Sequence, residues 1–581
     1  MKKLTLTVAF LLAGTYLFAQ NNVNTLTQTN ASGSGVNTGT ITQNGKDNDS
    51  KVTQTKTGSG VGNTATVNQS NPLPYTTGAN STAIDQTGNR HEATTSQVGD
   101  QQVSDIDQTG DRQKATVSQI GKRNDSGILQ SNTRNETNID QNGYDNISDV
   151  TQSDRGNIAK VEQDYIGNES TITQSGGNSG LSGNNADVKQ DGNVNKSWVT
   201  QTGTGFGGNG ADVDQTGMGW NESTITQNGT GSVADVDQSG NGGRNKSVIT
   251  QRTLLNTADV DQKGAGGYND SNIRQDGERN DAVVSQDGLS NKSIVDQEDS
   301  QGDANVTQTG TSNESTVTQD DYDNDATIIQ TGSRNKSTVT QWNSFLFGND
   351  ARVEQVGDDN TSVATQNGTA NNLDVNQAGN GHISLLSQVD NRNTADVDQT
   401  GTSNTSWIEQ DGNILTGNSA KVNQSSFSQF SYIVQNGRNT GDVTQGGGDD
   451  NTSNLNQNGN LNWAKVTQWG ASNNQDLAQA GNNNKITGVG AGGDTYGAAQ
   501  TGNSNIGFIR QTGDGNNSDS YQNGNSNNLR VIQSGNSHDS VGLQVGDSNV
   551  INLLQTGLGQ SSSIIQNGGA NSGVVVQSNG I

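Results

Sequence analysis

The sequence predicts an all-β fold, a two-sided β-solenoid with about 22 residues per coil and roughly 23 coils, each made of two strands and two turns. Three observations support this prediction. Glutamine recurs every eleven residues, small and apolar residues alternate with polar ones before it, and glycine often follows it two positions later. Alternation is the period of a β-strand, and glycine near Asn or Asp is typical of tight turns.

The repeat unit reads Asn-x-(Ser or Ala)-x-(Val or Ile)-x-Gln-x-Gly-x-x. Its first uninterrupted run has the glutamines Gln86, Gln97, Gln108, Gln119, Gln130, Gln141, Gln152, Gln163 and Gln174. The Asn, the small residue, the branched residue and the Gln occupy alternate positions, so they share one face of a strand. Longer units carry their extra residues between Gln and the next Asn, which predicts that turns absorb insertions.

The small residue alternates between Ser and Ala in successive units, as in Ser170, Ala186, Ser197 and Ala211. This doubles the period, so Ser strands stack on Ser strands and Ala strands on Ala strands, about 4.8 Å apart. The predicted structural ladder comprises Gln174, Gln201, Gln227, Gln251, Gln275, Gln297, Gln319, Gln341, Asn168, Asn195, Asn221 and Asn245.

The residue after the inward Asn of the Ser strands alternates in charge from coil to coil. The series is Glu169, Lys196, Glu222, Lys246, Asp270, Lys292, Glu314 and Lys336. In the predicted stack these residues are neighbours, where unlike charges are favourable and like charges are costly. A slip by one coil would place Glu over Glu, so the series is expected to fix the register.

The composition excludes several classes of protein. Only 26% of the 581 residues are hydrophobic, too few for a series of ordinary globular cores. A formal net charge of -27 argues against partners such as nucleic acid and anionic lipid. There is no Cys, which removes disulfides and thiolate metal sites. Beyond the first nineteen residues no segment is apolar enough for a transmembrane helix.

Residues 1–19 have the pattern of a secretory signal peptide. Lys2 and Lys3 precede an apolar run from Leu4 to Phe18, and Ala19 stands at the expected cleavage point. The sequence therefore predicts an exported protein whose repeat region covers residues 20–581.

The repeat resembles the curlin family of bacterial amyloid subunits. The resemblance rests on units such as Asn195-Lys-Ser-Trp-Val-Thr-Gln201 followed by Asn209-Gly-Ala-Asp-Val-Asp-Gln215. It implies a β-solenoid subunit exported through an outer-membrane secretion pore that polymerises into extracellular, curli-like fibres for biofilm matrix and adhesion. It also implies other curlin-like subunits or a nucleator as partners, and leaves open whether this chain is a major subunit or the nucleator.

The repeat begins at Asn22, Leu26 and Gln28 and continues to Val575 and Gln577, without a recognisable capping segment. Soluble solenoids cover their end strands, and open ends of one repeat favour head-to-tail polymers. Two alternatives remain, a monomeric surface adhesin and an ice-binding β-solenoid. The second rests on outward threonine pairs, which are Thr171 and Thr173, Thr224 and Thr226, Thr316 and Thr318, and Thr338 and Thr340.

The sequence offers little for catalysis, so no enzyme and no cofactor are expected. The three histidines, His91, His382 and His538, stand where other units have the inward Asn. A weak calcium candidate is formed by the outward residues Asp212, Asp214, Asp235, Asp237, Asp259 and Asp261, whose stacked carboxylates a cation would relieve. The alternative is a solvated acidic face. Outward Trp198 and Trp407, with Phe345 and Phe347 in a turn, are candidates for stacking on sugars or surfaces.

Overall fold

A computed structural model describes residues 21–30, 35–71, 78–176, 183–203, 207–240, 242–264, 266–298, 300–342, 347–412, 416–486 and 497–579. These residues form 46 strands and no helix. The described residues include no helix that is long and apolar enough to cross a membrane. The chain divides into two compact units, one ending at Lys292 and one beginning at Ser293. The predicted signal peptide and Phe345 lie outside the described residues.

The first unit contains 22 strands and the first residue of another. They are β1 (Val23–Asn30), β2 (Thr38–Asn44), β3 (Asp49–Lys56), β4 (Thr64–Ser70), β5 (Ser81–Asn89), β6 (Glu92–Asp100), β7 (Val103–Asp111), β8 (Lys114–Lys122), β9 (Asp125–Thr133), β10 (Glu136–Tyr144), β11 (Ile147–Gln152), β12 (Ile158–Ile166), β13 (Glu169–Gly176), β14 (Asn185–Gly192), β15 (Lys196–Gly203), β16 (Gly210–Gly217), β17 (Glu222–Gln227), β18 (Val233–Ser239), β19 (Lys246–Gln251), β20 (Thr257–Lys263), β21 (Asp270–Gln275), β22 (Asp281–Leu289) and the start of β23 (Lys292–Gln297).

The second unit continues from β23 with the remaining strands. They are β24 (Asp303–Thr311), β25 (Glu314–Asp320), β26 (Asp325–Ser333), β27 (Lys336–Trp342), β28 (Asp350–Asp358), β29 (Thr361–Asn367), β30 (Asn372–Asn380), β31 (Ile383–Val389), β32 (Thr394–Thr402), β33 (Thr405–Asp411), β34 (Ser419–Gln424), β35 (Phe430–Gly446), β36 (Thr452–Trp469), β37 (Asn474–Ala480), β38 (Lys485–Ile486), β39 (Ala498–Thr501), β40 (Ile506–Thr512), β41 (Asn517–Asn523), β42 (Asn528–Asn536), β43 (Asp539–Val545), β44 (Val550–Leu558), β45 (Ser561–Asn567) and β46 (Ser572–Ser578).

Within each unit every strand pairs in parallel with the strand of the same type one coil away. In the first unit Ser170 of β13 pairs with Ser197 of β15, and Ala186 of β14 pairs with Ala211 of β16. In the second unit Ser315 of β25 pairs with Ser337 of β27. The Ser and Ala strands therefore form separate parallel columns. The predicted two-sided solenoid of about 22 residues per coil is confirmed, with about 24 coils in all.

The core of each coil is narrow, because each strand contributes one branched residue and one small residue beside its amides. Ile172, Val199 and Ile225 are at most 1% exposed, and so are the Ser and Gln side chains that flank them. Buried polar groups need hydrogen-bond partners, so the stability of this interior depends on how the amides are satisfied.

The glutamines form continuous amide ladders along each column. The Nε2 of Gln174 donates to the Oε1 of Gln201, 2.8 Å away, and also to the backbone oxygen of Ile158 on the facing strand, 2.9 Å away. The same amide–amide bond follows at Gln201, Gln227 and Gln251 in the first unit, reaching Gln275. In the second unit it follows at Gln297, Gln319 and Gln341, reaching Gln366. Each glutamine thus joins neighbouring coils and ties together the two strands of its own coil.

The inward asparagines work differently from a plain amide stack. The Oδ1 of Asn168 accepts the backbone N–H of Asn195 at 2.9 Å, and the Oδ1 of Asn195 accepts that of Asn221 at 3.3 Å. The Nδ2 of Asn168 donates to the turn oxygen of Gly192 at 2.8 Å. Among the described residues the Oδ1 of Asn221 has no donor, so this ladder is interrupted before Asn245. In this stretch asparagine therefore bonds backbone at the strand entrance. In the second unit asparagines also bond each other, as the Nδ2 of Asn505 does to the Oδ1 of Asn473 at 3.0 Å.

The turns use two positions with positive φ. Gly110 follows Gln108 by two residues at φ 126°, and a Cβ there would lie 1.9 Å from the backbone oxygen of Asn132 in the next coil. Only glycine fits both the dihedral angle and the close approach. A second left-handed residue precedes the inward Asn, as Arg123 does at φ 56°. The repeat pattern predicted the glycine and missed this second residue, because its identity varies between Arg, Ser and Asp.

Insertions leave the strands in register, as predicted. Gln174 and Gln201 are 27 residues apart and Gln479 and Gln511 are 32 apart, yet both pairs keep their amide bond at 2.8 Å. The extra residues between Gln174 and Gln201 lie between β13 and β14, as predicted. Those between Gln479 and Gln511 instead divide one strand of the repeat into β38 and β39, which both pair with β36, so the prediction that insertions fall only in turns is wrong at this position. The amide bond survives because each half of the divided strand keeps its own register.

We expect Gln174→Ala to lower the free energy of unfolding of its coil by about 2–5 kcal/mol, because it leaves Gln152 Nε2, Gln201 Oε1 and the Ile158 oxygen buried without this partner. Hydrogen exchange followed by mass spectrometry should show faster exchange in β11, β13 and β15. The matched control is Thr173→Ala, which removes an outward side chain next to it and should change the free energy by about 0.5 kcal/mol or less. Equal protection in both variants would contradict the ladder's role.

Candidate functional site: end coils and outward ladders

The amide ladders have a direction, and this makes the two ends of the repeat region chemically different. In both units each Nε2 donates to the Oε1 of the following coil, as Gln28 does to Gln54 at 2.7 Å and Gln555 to Gln577 at 2.9 Å. The amide oxygens of the first described coil therefore point along the column, away from the second coil. Gln577 uses one N–H on the backbone oxygen of Ser561, at 3.0 Å, so the last described coil directs its other amide N–H outward.

The end coils also expose positions that are buried elsewhere. Leu26, at the inward branched position of β1, is 38% exposed, whereas Val52, its partner in β3, is fully buried. At the other end Gln555 is buried, whereas its ladder partner Gln577 in β46 is only half-buried. Within the described residues the end strands therefore present open backbone edges and partly bare interiors, and such edges favour pairing with another strand.

Most residues of the charge ladder have in-register partners along the Ser column. In the first unit Glu169 pairs with Lys196, Lys196 with Glu222, Glu222 with Lys246, and Lys246 with Asp270; in the second, Glu314 pairs with Lys336. Lys196 Nζ lies 2.6 Å from Glu169, and Lys336 Nζ lies 3.2 Å from Glu314. Glu222 also bonds Arg244, a turn residue that the sequence analysis missed. Fixing the register by these charges stays a prediction.

The six aspartates of the calcium candidate stack in two outward columns on the Ala strands. Asp212, Asp235 and Asp259 form one column, and Asp214, Asp237 and Asp261 form the other. The first column extends to Asp187, and Lys189 faces Asp214 at 3.7 Å, two residues that the sequence analysis did not include. Partial burial, and then repulsion from neighbouring carboxylates, raise the pKa of Asp235 to about 6. The same causes raise the pKa values of Asp212, Asp237 and Asp259.

These columns are not arranged as a metal site. In the part of the chain that the structure describes, no group of three or more carboxylate or imidazole side chains has the spacing to hold an ion. The geometry therefore gives the calcium alternative no support, and a solvated acidic face is the simpler interpretation.

The three histidines take the place of asparagine in its ladder. His91 Nδ1 lies 3.4 Å from the backbone nitrogen of Gln113, and its Nε2 lies 3.3 Å from the oxygen of Thr87. Neutral imidazole protonated at Nε2 satisfies both contacts. His382 and His538 repeat this geometry. Burial lowers the pKa values of His91 and His382, against smaller opposing contributions from backbone oxygens.

The outward threonines do not form long two-column ranks in the described strands. In the first unit Trp198 lies between Thr171 and Thr224. In the second, Thr316 and Thr318 stack on Thr338 and Thr340. In the next strand of the column, Val363 stands in place of a threonine beside Thr338. Ice-binding surfaces need a wide regular rank, so this arrangement gives that alternative little support.

The raised carboxyl pKa values predict a stability that falls with rising pH. An aspartate whose pKa is higher in the folded than in the unfolded chain binds more protons when folded, so stability is lost between about pH 4 and pH 6. We expect Asp235→Asn to raise the free energy of unfolding at pH 7, because it removes a carboxylate that is repelled by its neighbours in the column. The gain should be only about 1 kcal/mol, because Asp235 is largely exposed and solvent screens the repulsion. The gain should vanish near pH 4 in pH-dependent thermal melts.

Asp145→Asn is the control for this measurement. The Arg123 side chain lowers the pKa of Asp145, so its removal should give a change of the opposite sign or none. A gain at pH 7 from both substitutions would contradict the interpretation.

The histidines predict an acid-sensitive step of the opposite sign. Since His91 and His382 have lowered pKa values when folded, their contribution is complete above about pH 6.5 and is lost as the pH falls. Protonation of Nδ1 would replace the hydrogen bond that it now accepts from a backbone N–H with two donors facing each other. The loss would cost about 1–3 kcal/mol of stability per histidine. His91→Asn with His382→Asn restores the usual ladder residue and should raise the melting temperature at pH 5 while leaving it nearly unchanged at pH 7.5. A pH-independent difference would contradict this.

Comparison with known proteins agrees with the geometry. The family model described as the curlin associated repeat matches residues 269–298, the segment that contains β21, β22 and β23. No curated protein matches the chain. The matched strands have the Asn, small, branched and Gln positions described above, which recur in strands on both sides of the segment. The resemblance drawn from the sequence is thus confirmed at these residues, and the chain carries the curlin associated repeat.

Proposed function

We propose that this protein is a curli-like structural subunit that is exported and polymerises end to end into amyloid fibres. The observation that carries the proposal is the complementarity of the two end coils. One directs glutamine oxygens outward and the other directs an amide N–H outward, and both present open parallel strand edges. Addition of the last coil of one molecule to the first coil of another would continue both ladders with the same hydrogen bonds.

The fold and the repeat favour a structural, non-enzymatic protein. The proposed site of action is outside the cell, in a surface fibre or biofilm matrix, where the fibres would support adhesion. An outer-membrane pore, other curlin-like subunits and a nucleator are the partners that this proposal includes. The acidic outward columns would help to keep an aggregation-prone chain soluble before assembly, because like-charged surfaces repel each other.

The proposal is tested by blocking one edge without disturbing the fold. In β44 the N–H of Val550 points to the next coil and donates to the backbone oxygen of Asn571. In β43 the N–H of Asp539 likewise donates to the backbone oxygen of Gln560. By the alternation of a strand, the amides of Val574 in β46 and Ile565 in β45 point away from the preceding coil. Proline has no N–H and is tolerated on such an edge. We expect Ile565→Pro with Val574→Pro to slow fibre elongation at least tenfold.

The matched control is Ile565→Thr with Val574→Thr, which keeps both amides and a β-branched side chain. Residues 20–581 of each variant are followed by amyloid-dye fluorescence and electron microscopy, with circular dichroism to verify the fold. Equal fibre growth in both variants would overturn end-to-end strand addition. A stable monomer of the unaltered chain at high concentration in sedimentation would overturn the fibre and favour a monomeric adhesin; thermal hysteresis in that monomer would favour ice binding.

A further inference from the structure

Four consecutive Ser strands in the second unit have apolar or aromatic residues on their outward face. Its central position holds Val363 in β29, Leu385 in β31, Trp407 in β33 and Tyr432 in β35, each paired in register with the next. Ile383 and Phe430 flank this column on the side of the strand start. We call these six residues the apolar ladder. At the same position other strands have polar residues such as Thr171, Thr338 and Asn454, or a single apolar residue between polar neighbours. Examples of the latter are Trp198, Val248 and Phe508.

The aromatic members of the apolar ladder are held in place and remain accessible. The ring centroids of Trp407 and Tyr432 lie 5.3 Å apart at 70°, in an edge-to-face arrangement. Trp407 is 41% exposed and Ile383 is 40% exposed, although both project from a regular sheet.

The same coils have an opposite, charged face. Arg352 contacts Asp374 at 3.2 Å, and Lys421 contacts Asp396 at 2.6 Å on the Ala strands. In these coils the Ser face therefore carries the apolar ladder and the Ala face carries charged pairs. Contiguous apolar groups on the surface of a polar protein mark interaction sites.

Area and charge limit what this face binds. Four strands about 4.8 Å apart, with three outward residues each, cover about 300 Å². A stable protein complex buries about 800 Å² on each partner, so the ladder is too small to hold a second copy or another folded protein alone. A net charge of -27 opposes anionic ligands such as nucleic acid and acidic glycans.

We propose that the apolar ladder is a binding site for an uncharged polysaccharide. The C–H faces of sugar rings stack on indole and phenol rings, and the hydroxyl side chains of Thr361, Ser387 and Thr405, which point outward beside the ladder, supply hydrogen bonds. Large apolar contacts with a few polar groups at the rim are the usual composition of small-ligand sites. A chain of sugars needs only a narrow contact surface, which the ladder provides. This assignment does not depend on fibre formation.

Affinity electrophoresis of the full-length mature chain in gels containing hydroxyethylcellulose or dextran tests the site. We expect Trp407→Thr with Tyr432→Thr to weaken binding of the retarding polysaccharide at least tenfold, because threonine is common at this position and should keep the strand. The matched control is Trp198→Thr in β15, which removes an outward tryptophan whose neighbours in the column are Thr171 and Thr224. This control should bind as the unaltered chain does.

Several results would overturn the site. These are no retardation of the unaltered chain by either neutral polysaccharide, an equal loss of retardation in the control, and stronger retardation by the anionic polysaccharide alginate. Dissociation of a dimer by the double variant in sedimentation, with retardation unchanged, would assign the ladder to a second copy instead. Fibre formation, scored by electron microscopy for the same variants, should be unaffected, so failure of the site and failure of the proposed fibre are distinguishable.

Discussion

The hydrogen bond between stacked glutamine amides is the interaction on which the rest of the structure depends. A primary amide has two N–H donors and an oxygen acceptor, and Gln174 uses one donor along the column, the other across the coil, and its oxygen for the preceding coil. No aliphatic side chain can do this. Because only one branched residue per strand is buried, apolar contacts alone would not hold the coil together, and the amides provide both cohesion and register. A coil is fully bonded only when it has neighbours on both sides.

The treatment of charge follows from that interior. Histidine is accepted in the asparagine ladder because neutral imidazole offers the same acceptor and donor, as His91 and His382 do. The aspartates of the acidic columns lie outside, where partial burial and then the stacking of like charges raise the pKa of Asp235. The two kinds of group respond to acid in opposite directions. The pH of greatest stability is therefore set by a balance between the acidic columns and the few histidines.

Periodic features could be predicted from the sequence, because each is repeated in many units. The strands, the separation of Ser and Ala columns, the stacked glutamines and the tolerance of turns to insertion all follow from residues at fixed spacing, and the structure has them. Asparagine was expected to stack as glutamine does. Asn473, Asn505 and Asn527 in the second unit do so, whereas Asn168 and Asn195 bond backbone groups instead. Its shorter side chain reaches the entrance of the next strand, and spacing alone does not distinguish the two modes.

Features that occur once could not be read from the repeat. The apolar ladder consists of residues about 22 positions apart whose identities differ, so Leu385, Trp407 and Tyr432 have no common letter to reveal them. Arg244 reaches Glu222 from a turn whose length is irregular, and the left-handed residue before each Asn is chemically variable. Such contacts become visible only once the coils are stacked and outward positions are compared from one coil to the next.

Since each interior coil bonds only to its two neighbours, donating amide N–H groups to the following coil and accepting from the preceding one, whole coils are interchangeable units of inheritance. An in-frame duplication or loss of one strand-turn-strand-turn segment in the gene would preserve the glutamine ladders and the strand pairing, and its cost would fall on outward contacts such as the alternating charges. The number of coils is then free to drift among related genes, while selection acts on the decoration of individual coils.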